Sequence, residues 1–489
     1  MFQSIKRYTA IAALGLSAVA VTSCESYLDV NTAPYASTKV EPKLLFNYAT
    51  TNWAANRAGG DNYISVALAA QTIASGGNYG WGKGDVYDIS PYSTGNTWKA
   101  YYATAGLNLI QAIAEAEKAS PANNNAAAQA KIELATMMYE ASTIWGDIPF
   151  SESWQGDIAY PAFDSQKSVF EQVIALLDEA IVQIDESSPL KISDYDLVYK
   201  GDMSKWKSFA KSIKFRTYMV MVDKDPSVAS KIGQMLTEGG MVSSSAANFA
   251  FPFFNSPDKE NPRYKILKRY SGVDAKGNVI NTFFFANNNV LDYMKQLEDP
   301  RISVYFDKPD DVTTYNGVDS EEEADAETAT VSMYLYRADA PEVVFSYQEQ
   351  LYLEAEAYAR GLGVGQDIAK ANELYKKATK EALLFNGIGA AGAESYVQNT
   401  LPALTAVANP VDQIHLMQWI DLMDRPLEAW TQWRRSGVEG SEIPNLTQPQ
   451  GTPAGGLIRR WVYPPDEATS NPNSPSPAPR FTEKTWFDL

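Results

Sequence analysis

The strongest restriction on the fold of this 489-residue chain is the recurrence of apolar residues at alternating three- and four-residue intervals. Trp98, Tyr102, Ala105, Leu109 and Ala112 share one face of a helix at that spacing, as do Leu134, Met138, Ala141 and Trp145. The pattern returns at Val169, Val173, Leu176 and Ala180, and at Trp206, Phe209 and Ile213. It returns again at Ile368, Ala371, Tyr375, Ala378, Ala382 and Phe385. A helix with such a stripe has to bury it against a neighbour. The stop signals agree with the stripes. Pro121 and Asn123 to Asn125 break the first helix, and Gly146-Asp147-Ile148-Pro149 stops the second. Gly361 ends a helix over 347–360, Asp367 caps the next, and Asn386-Gly387 closes it.

The helices come in pairs: 98–145, 169–221, 347–385, and a last pair at 411–423 and 426–435. Small residues at Ala355, Ala371 and Ala378 allow close approach within a pair, as tetratricopeptide-type repeats require, and the irregular spacing describes a diverged array. Residues 239–345 differ. They are rich in Gly, Asn, Pro and aromatics, with short apolar runs at 249–254 and 281–285 and a short helix near 290–297, which predicts loops and small strands. The expected fold is therefore mostly α, a tetratricopeptide-like helical-repeat scaffold with a loop-rich, small-strand subdomain. The expected organisation is 1–23 signal peptide, 24–42 tether, 43–238 N-terminal helical scaffold, 239–345 loop-rich subdomain, and 346–489 C-terminal scaffold with an irregular tail.

Residues 1–24 read as a secretory signal. Lys6 and Arg7 precede a run of small and apolar residues from Tyr8 to Val21, too short for a helix of ~20 residues across a bilayer. The run ends Val21-Thr22-Ser23-Cys24, at the chain's single Cys, so Cys24 is predicted to be the first mature residue and to carry lipid. With one Cys there is neither an internal disulfide nor a zinc–thiolate cluster. With one His, His415, any mechanism needing two is excluded. Forty-one basic against 59 acidic residues, a net charge of −18, argues against nucleic acid as a partner.

The motifs, taken in order, are Cys24 with its preceding small residues, Trp145-Gly-Asp-Ile-Pro-Phe150, Trp206-Lys-Ser-Phe-Ala-Lys-Ser-Ile-Lys-Phe-Arg216, and Gln350-Leu-Tyr-Leu-Glu-Ala-Glu-Ala-Tyr-Ala-Arg360. Gln418-Trp-Ile-Asp-Leu, Leu427-Glu-Ala-Trp-Thr-Gln-Trp-Arg-Arg435 and Arg459-Arg-Trp-Val-Tyr-Pro-Pro465 with Asn471 complete the set. Together they resemble the SusD/RagB family of outer-membrane nutrient-binding lipoproteins over nearly the whole length. The resemblance implies a lipid-anchored, surface-facing outer-membrane protein that binds oligosaccharides, sometimes peptides, and passes them to a SusC-like TonB-dependent transporter. It implies a binding protein and no cofactor. On the residues alone, most of these motifs are expected to act in packing and capping: Glu356 and Arg360 form an i,i+4 pair, and Arg434 and Arg435 sit at a helix C-terminus.

A sugar presents apolar CH faces rimmed by hydroxyls, so its site needs flat aromatic rings beside planar polar groups. The densest such segment is 75–92, where Asn78, Tyr79, Trp81, Asp85 and Tyr87 lie among glycines. The second candidate is Arg269-Tyr270 with Asn287, Asn288 and Asn289. The acidic run 319–327 lacks the ligand order of an EF-hand and is expected to be a solvated loop; no metal is expected. His415, between Ile414 and Leu416, is expected to pack or hydrogen-bond. Glycan binding leads; a peptide receptor of the same transporter type and, less favoured, a lipid-anchored glycosidase are the alternatives, since carboxylates are plentiful but none stands on a catalytic scaffold.

Overall fold

The computed structural model describes residues 40–450 and 455–489, except positions 79, 81–82, 91 and 93–94. The signal, Cys24, Tyr79 and Trp81 therefore lie outside the described residues. Helices α1 (Pro42–Gly59) and α2 (Asp61–Ala69) lead into a helix that runs from α3 (Gly95–Lys99) through a π-helical turn (Ala100–Gly106) into α4 (Leu107–Lys118). Then come α5 (Asn124–Trp145), α6 (Gln166–Gln183), α7 (Met203–Met221) and α8 (Ala229–Glu238). Consecutive helices pack on each other: α4 on α5, α5 on α6, and α6 on α7. Side chains at the helix starts satisfy backbone N–H groups as the sequence predicts. Asn123 accepts from the Ala126 N–H at 3.0 Å, and Gly146, at φ +82°, ends α5.

The π-turn inserts a residue and shifts the phase of the first stripe. Tyr101, not Tyr102, is the fully buried ring, and it donates to Glu140 at 3.0 Å. Tyr102 is half-buried, stacked on Trp154 with centroids 5.6 Å apart. In α6 the inward leucine is Leu177 and not Leu176. Helix α5 is buried on every side from Asn125 to Trp145, so it forms the scaffold's axis instead of presenting one stripe.

The middle of the chain carries short elements: β2 (Phe249–Phe251), α9 (Pro262–Tyr270), β3 (Phe285–Ala286), α10 (Asn288–Gln296), α11 (Ile302–Tyr305), β4 (Phe306–Asp307), β5 (Thr330–Val331) and β6 (Glu342–Phe345). With β1 (Ile73–Ala74), they form a four-stranded antiparallel sheet of order β1-β3-β5-β4 and a separate β2-β6 ribbon. The register Ile73↔Ala286 and Ala74↔Phe285 holds the segment after α2 against the middle of the chain.

The remaining helices are α12 (Tyr347–Arg360), α13 (Ile368–Phe385), α14 (Ala390–Asn399), α15 (Pro410–Asp421), α16 (Pro426–Arg434) and α17 (Pro465–Ser470). Helices α12 and α13 pack closely, with Ala355, Ala371 and Ala378 fully buried. Phe385 departs from its stripe: it is 40% exposed, and Leu383 is buried in its place. Among the described residues no helix is long and apolar enough to cross a membrane.

Buried charge ties the parts together. Arg57 meets Glu140 at 2.5 Å, Glu428 at 3.0 Å and Glu342 at 3.2 Å. Arg435 meets Glu356 at 2.6 Å, and His415 Nε2 lies 3.3 Å from the same carboxylate. Despite burial, the cations around Glu356, Arg435 foremost, hold its carboxyl well below the usual range. The motif at 145–150 is locked by the C-terminal tail: the Trp461 N–H donates to Ile144 O at 2.9 Å, Tyr463 donates to Asp147 O at 2.6 Å, and Arg460 reaches Trp145 O. Arg434 donates to Thr143 O and Arg459 O at 2.7 and 2.8 Å, and Asn471 to Pro161 O at 2.9 Å. These motif residues are structural, as expected.

Candidate functional site

The sheet brings the two candidate segments together. Strand β1 leads straight into Ser75–Asn78, and β3 follows directly after 280–284. Asn78 Nδ2 donates to Thr282 O at 3.3 Å, the Thr282 N–H lies 3.4 Å from Ser271 Oγ, and Ser271 follows Tyr270. The candidates, about 190 residues apart in sequence, thus form one continuous surface. Gly80 lies beside Phe283: a Cβ there would stand 3.4 Å from its ring.

Two glycines make the approach possible. Gly76 and Gly77 have φ of +56° and +78°. A Cβ on Gly76 would stand 2.6 Å from Ala324 Cβ and 2.7 Å from the Phe285 ring; one on Gly77 would stand 2.8 Å from Glu323 Cγ. Only glycine accepts both the backbone conformation and the contact. The acidic run therefore does more than meet solvent. Its Ala324 N–H donates to Gly76 O at 2.9 Å and Ser320 is buried, while Glu321 to Glu323 stay exposed. Among the described residues no group of three or more His, Cys, Asp or Glu is placed to hold a metal ion.

The predicted residues divide into two sets. Asn78, Arg269 and Tyr270 are at the surface; Tyr270 is 50% exposed, and the Arg269 guanidinium lies 5.1 Å from its ring centre. Three others are internal. Asp85 is buried, with its Oδ2 accepting from the Ser75 N–H at 2.8 Å, and burial raises its pKa. It fixes the glycine loop and offers no free face to a hydroxyl. Tyr87, expected to complete an open platform, is buried at φ +56°, with its hydroxyl 3.0 Å from Gln71 Nε2. Asn287 is buried too: its Oδ1 accepts from the Asn289 N–H at 2.9 Å as the cap of α10, and its Nδ2 donates to Ser320 Oγ at 3.1 Å.

Beside this surface lies a polar cavity of about 320 Å³ lined by Gln71, Asn288, Asn289, Asp292, Tyr293 and Asp319, among others. Gln71 organises it. It donates through Nε2 to Thr447 O at 2.8 Å and accepts from Asn289 Nδ2 at 2.6 Å; Asn288 Nδ2 donates to Asp319 at 2.9 Å. Nothing local marks Gln71, because its left-handed backbone (φ +56°) and its partners 218 and 376 residues away exist only in the fold. Asp292 and Tyr293 were hidden within a short helix, and Phe283 within an apolar run. The arrangement offers one exposed ring, Tyr270, and the half-buried rings of Phe283 and Tyr293 together with planar amides and carboxylates, the chemistry of a polyhydroxylated ligand.

A mostly helical scaffold carrying a loop-and-strand middle is the architecture of SusD-type proteins. Residues 34–464 match the SusD-like family described as "Starch-binding associating with outer membrane", and the chain belongs to that family. No curated protein sequence matches it. Among solved structures, a chitin-binding protein superimposes with a TM-score of 0.77 at 22% identity, over 92% of this chain and 100% of that one. A SusD/RagB family protein from Bacteroides thetaiotaomicron gives 0.75 at 18% identity, over 92% and 99%. A chitin-binding SusD homolog from Flavobacterium johnsoniae gives 0.72 at 20% identity, over 92% and 98%. At these identities the likeness is one of fold.

Proposed function

We propose that this protein is a lipid-anchored receptor on the outer, cell-surface face of the outer membrane, which binds an oligosaccharide and delivers it to a SusC-like TonB-dependent transporter. The anchor is Cys24. The observation that carries the reading is the convergence of Asn78, Phe283 and Tyr270 on one surface, next to the amide-rich cavity at Asn288 and Asn289. A sugar ring stacks its CH face on Tyr270 and on Trp81, the residue shortly after Asn78 in sequence; Tyr79 adds a further ring, and Arg269 and the amides meet hydroxyls. Such contacts bind reversibly, as a carrier requires, and no turnover is expected. Calorimetry against starch-derived and chitin-derived oligosaccharides, with a peptide library as control, tests the reading. Saturable binding of one glycan class supports it. Binding of peptides alone makes the protein a peptide receptor, and hydrolysis of a glycan makes it an enzyme.

A further inference from the structure

Glu133 lies on the scaffold's axis, α5, at 0% exposure, and faces Thr50 of α1, which is 2% exposed. Among the described residues no cation pairs with it, and the charge that faces it, Asp196 between α6 and α7, has its own sign. Hydrogen-bond geometry decides its protonation state. Thr50 Oγ1 is 2.9 Å from Glu133 Oε1, 2.8 Å from Glu133 Oε2 and 2.8 Å from Phe46 O. The hydroxyl has one hydrogen to give; a carboxylate and a carbonyl have none. An ionised Glu133 would therefore leave three acceptor oxygens crowded on a single hydrogen. A second hydrogen, on the carboxyl, resolves the contact: Thr50 donates back to Phe46 O, one turn earlier on its own helix, and Glu133 donates to Thr50 Oγ1. We propose that Glu133 is held as a protonated acid and that its proton is a pH-sensitive latch, fastening α1 to the axis of the scaffold.

The groups around Glu133 favour the neutral form. On α1 its partner is the uncharged Thr50. On α5, Gln129 stands one turn earlier and turns its amide to Asp196 Oδ2 at 3.3 Å. Asp196 also accepts from the Tyr199 N–H at 2.9 Å and from Trp206 Nε1 of α7 at 2.7 Å. Lys131 is nearby in sequence but about 200° round the helix, and it meets Glu117 of α4 at 2.6 Å and Glu179 of α6 at 2.5 Å. Burial, with Asp196 adding to it, pushes the Glu133 carboxyl well above the usual range. The contrast lies seven residues further along both helices, where Glu140 meets the guanidinium of Arg57 at 2.5 Å. The same two helices are thus joined by a cation at one level and by a proton at the other. The sign follows. A carboxyl raised in the folded state contributes fully below its unfolded value of about 4.5, and the contribution is lost as pH rises towards the folded value. Without the proton, α1 would face a buried charge with no counter-ion, and this half of the helix would be the first to open.

The test follows urea unfolding of the full mature chain and of its Glu133→Gln variant across the range from acid to mildly alkaline pH. The amide keeps the shape and can donate to Thr50, but it cannot ionise. The unfolding equilibrium constant of the wild type, divided by that of the variant, is expected to rise by about tenfold or more between roughly pH 5 and pH 8. Glu133→Met, which cannot ionise either, gives the same slope if the amide variant does not fold. Hydrogen exchange locates the effect: protection over 45–57 is expected to fall with pH faster than in α13, and less steeply in the variant than in the wild type. Infrared difference spectra at neutral pH, wild type minus variant, are expected to show the C=O stretch of a protonated carboxylic acid. Three results overturn the inference: a stability ratio that stays level with pH, α1 protection with the same pH dependence in wild type and variant, or a difference spectrum with the bands of an ionised carboxylate in place of the acid.

Discussion

Arg57 stands among three buried carboxylates, and Arg57→Met tests whether that network holds the scaffold. The wild-type guanidinium lies 2.5, 3.0 and 3.2 Å from Glu140, Glu428 and Glu342. Met keeps most of the side-chain volume, so the loss is electrostatic and not a cavity. Among the described residues Glu140 is then left without a cation, and Glu428 and Glu342 keep only Arg216 and Arg263, each at 3.9 Å. Removing one partner of a buried pair costs ~3–5 kcal/mol. The cost depends on pH, because a stranded carboxylate can take up a proton. In the wild type, burial already pushes Glu342 up to about 7 and raises Glu140. A carboxyl with a raised folded pKa holds a proton in the folded state that it lacks unfolded. Its contribution to stability is therefore full below its unfolded value of about 4.5 and lost as pH rises towards 7. Without Arg57 these pKa values rise further and the loss extends to higher pH. Urea unfolding followed by tryptophan fluorescence measures both effects. The expected deficit is ~3–5 kcal/mol at pH 8 and clearly smaller at pH 5. A deficit under ~1 kcal/mol at pH 8, the size of an exposed pair, or one that is equal at both pH values, refutes the reasoning.

Gly76→Ala would place a methyl 2.6 Å from Ala324 in a left-handed backbone conformation. Overpacking and strain together are expected to cost ~2–4 kcal/mol and to weaken glycan binding; an unchanged urea midpoint and Kd would show that the close approach is not needed. Ala371→Leu overpacks the α12–α13 contact, where Ala371 is fully buried, and is expected to cost ~1–3 kcal/mol by urea unfolding, against no change if that face is open. Cys24→Ala is expected to release the protein from the membrane fraction; retention after a high-salt wash would contradict lipid anchoring.

The scaffold was legible because its signals are local. Stripes, caps and stops within a few residues placed the helices, and Asp367, Gly361 and Asn386 act at the helix ends as their types suggest. The phase errors have local causes as well. A π-turn moved burial from Tyr102 to Tyr101, and a helix buried all round, α5, has no single stripe to read. The site was only half legible. Asn78 and Tyr270 could be named by residue type and glycine context, but Asp85, Tyr87 and Asn287 carry the same composition signal and turn inward. What separates them is tertiary: Asp85 is needed to hold Ser75, Tyr87 is reached by Gln71, and Asn287 caps α10. The buried charges were hidden for a similar reason. Nothing within a helix shows that Arg57 will meet Glu428, 371 residues later.

The most direct measurement compares the glycan affinity of Tyr270→Ala and Trp81→Ala with that of the wild type, alongside their melting temperatures. Loss of a central aromatic anchor costs ~2 kcal/mol or more, about thirtyfold in Kd. The expected result is such a loss in both variants with melting temperatures within a degree or so of wild type, since Tyr270 is half exposed. Unchanged affinity in both variants would contradict a glycan site at this surface, and so would affinity that falls only in step with stability.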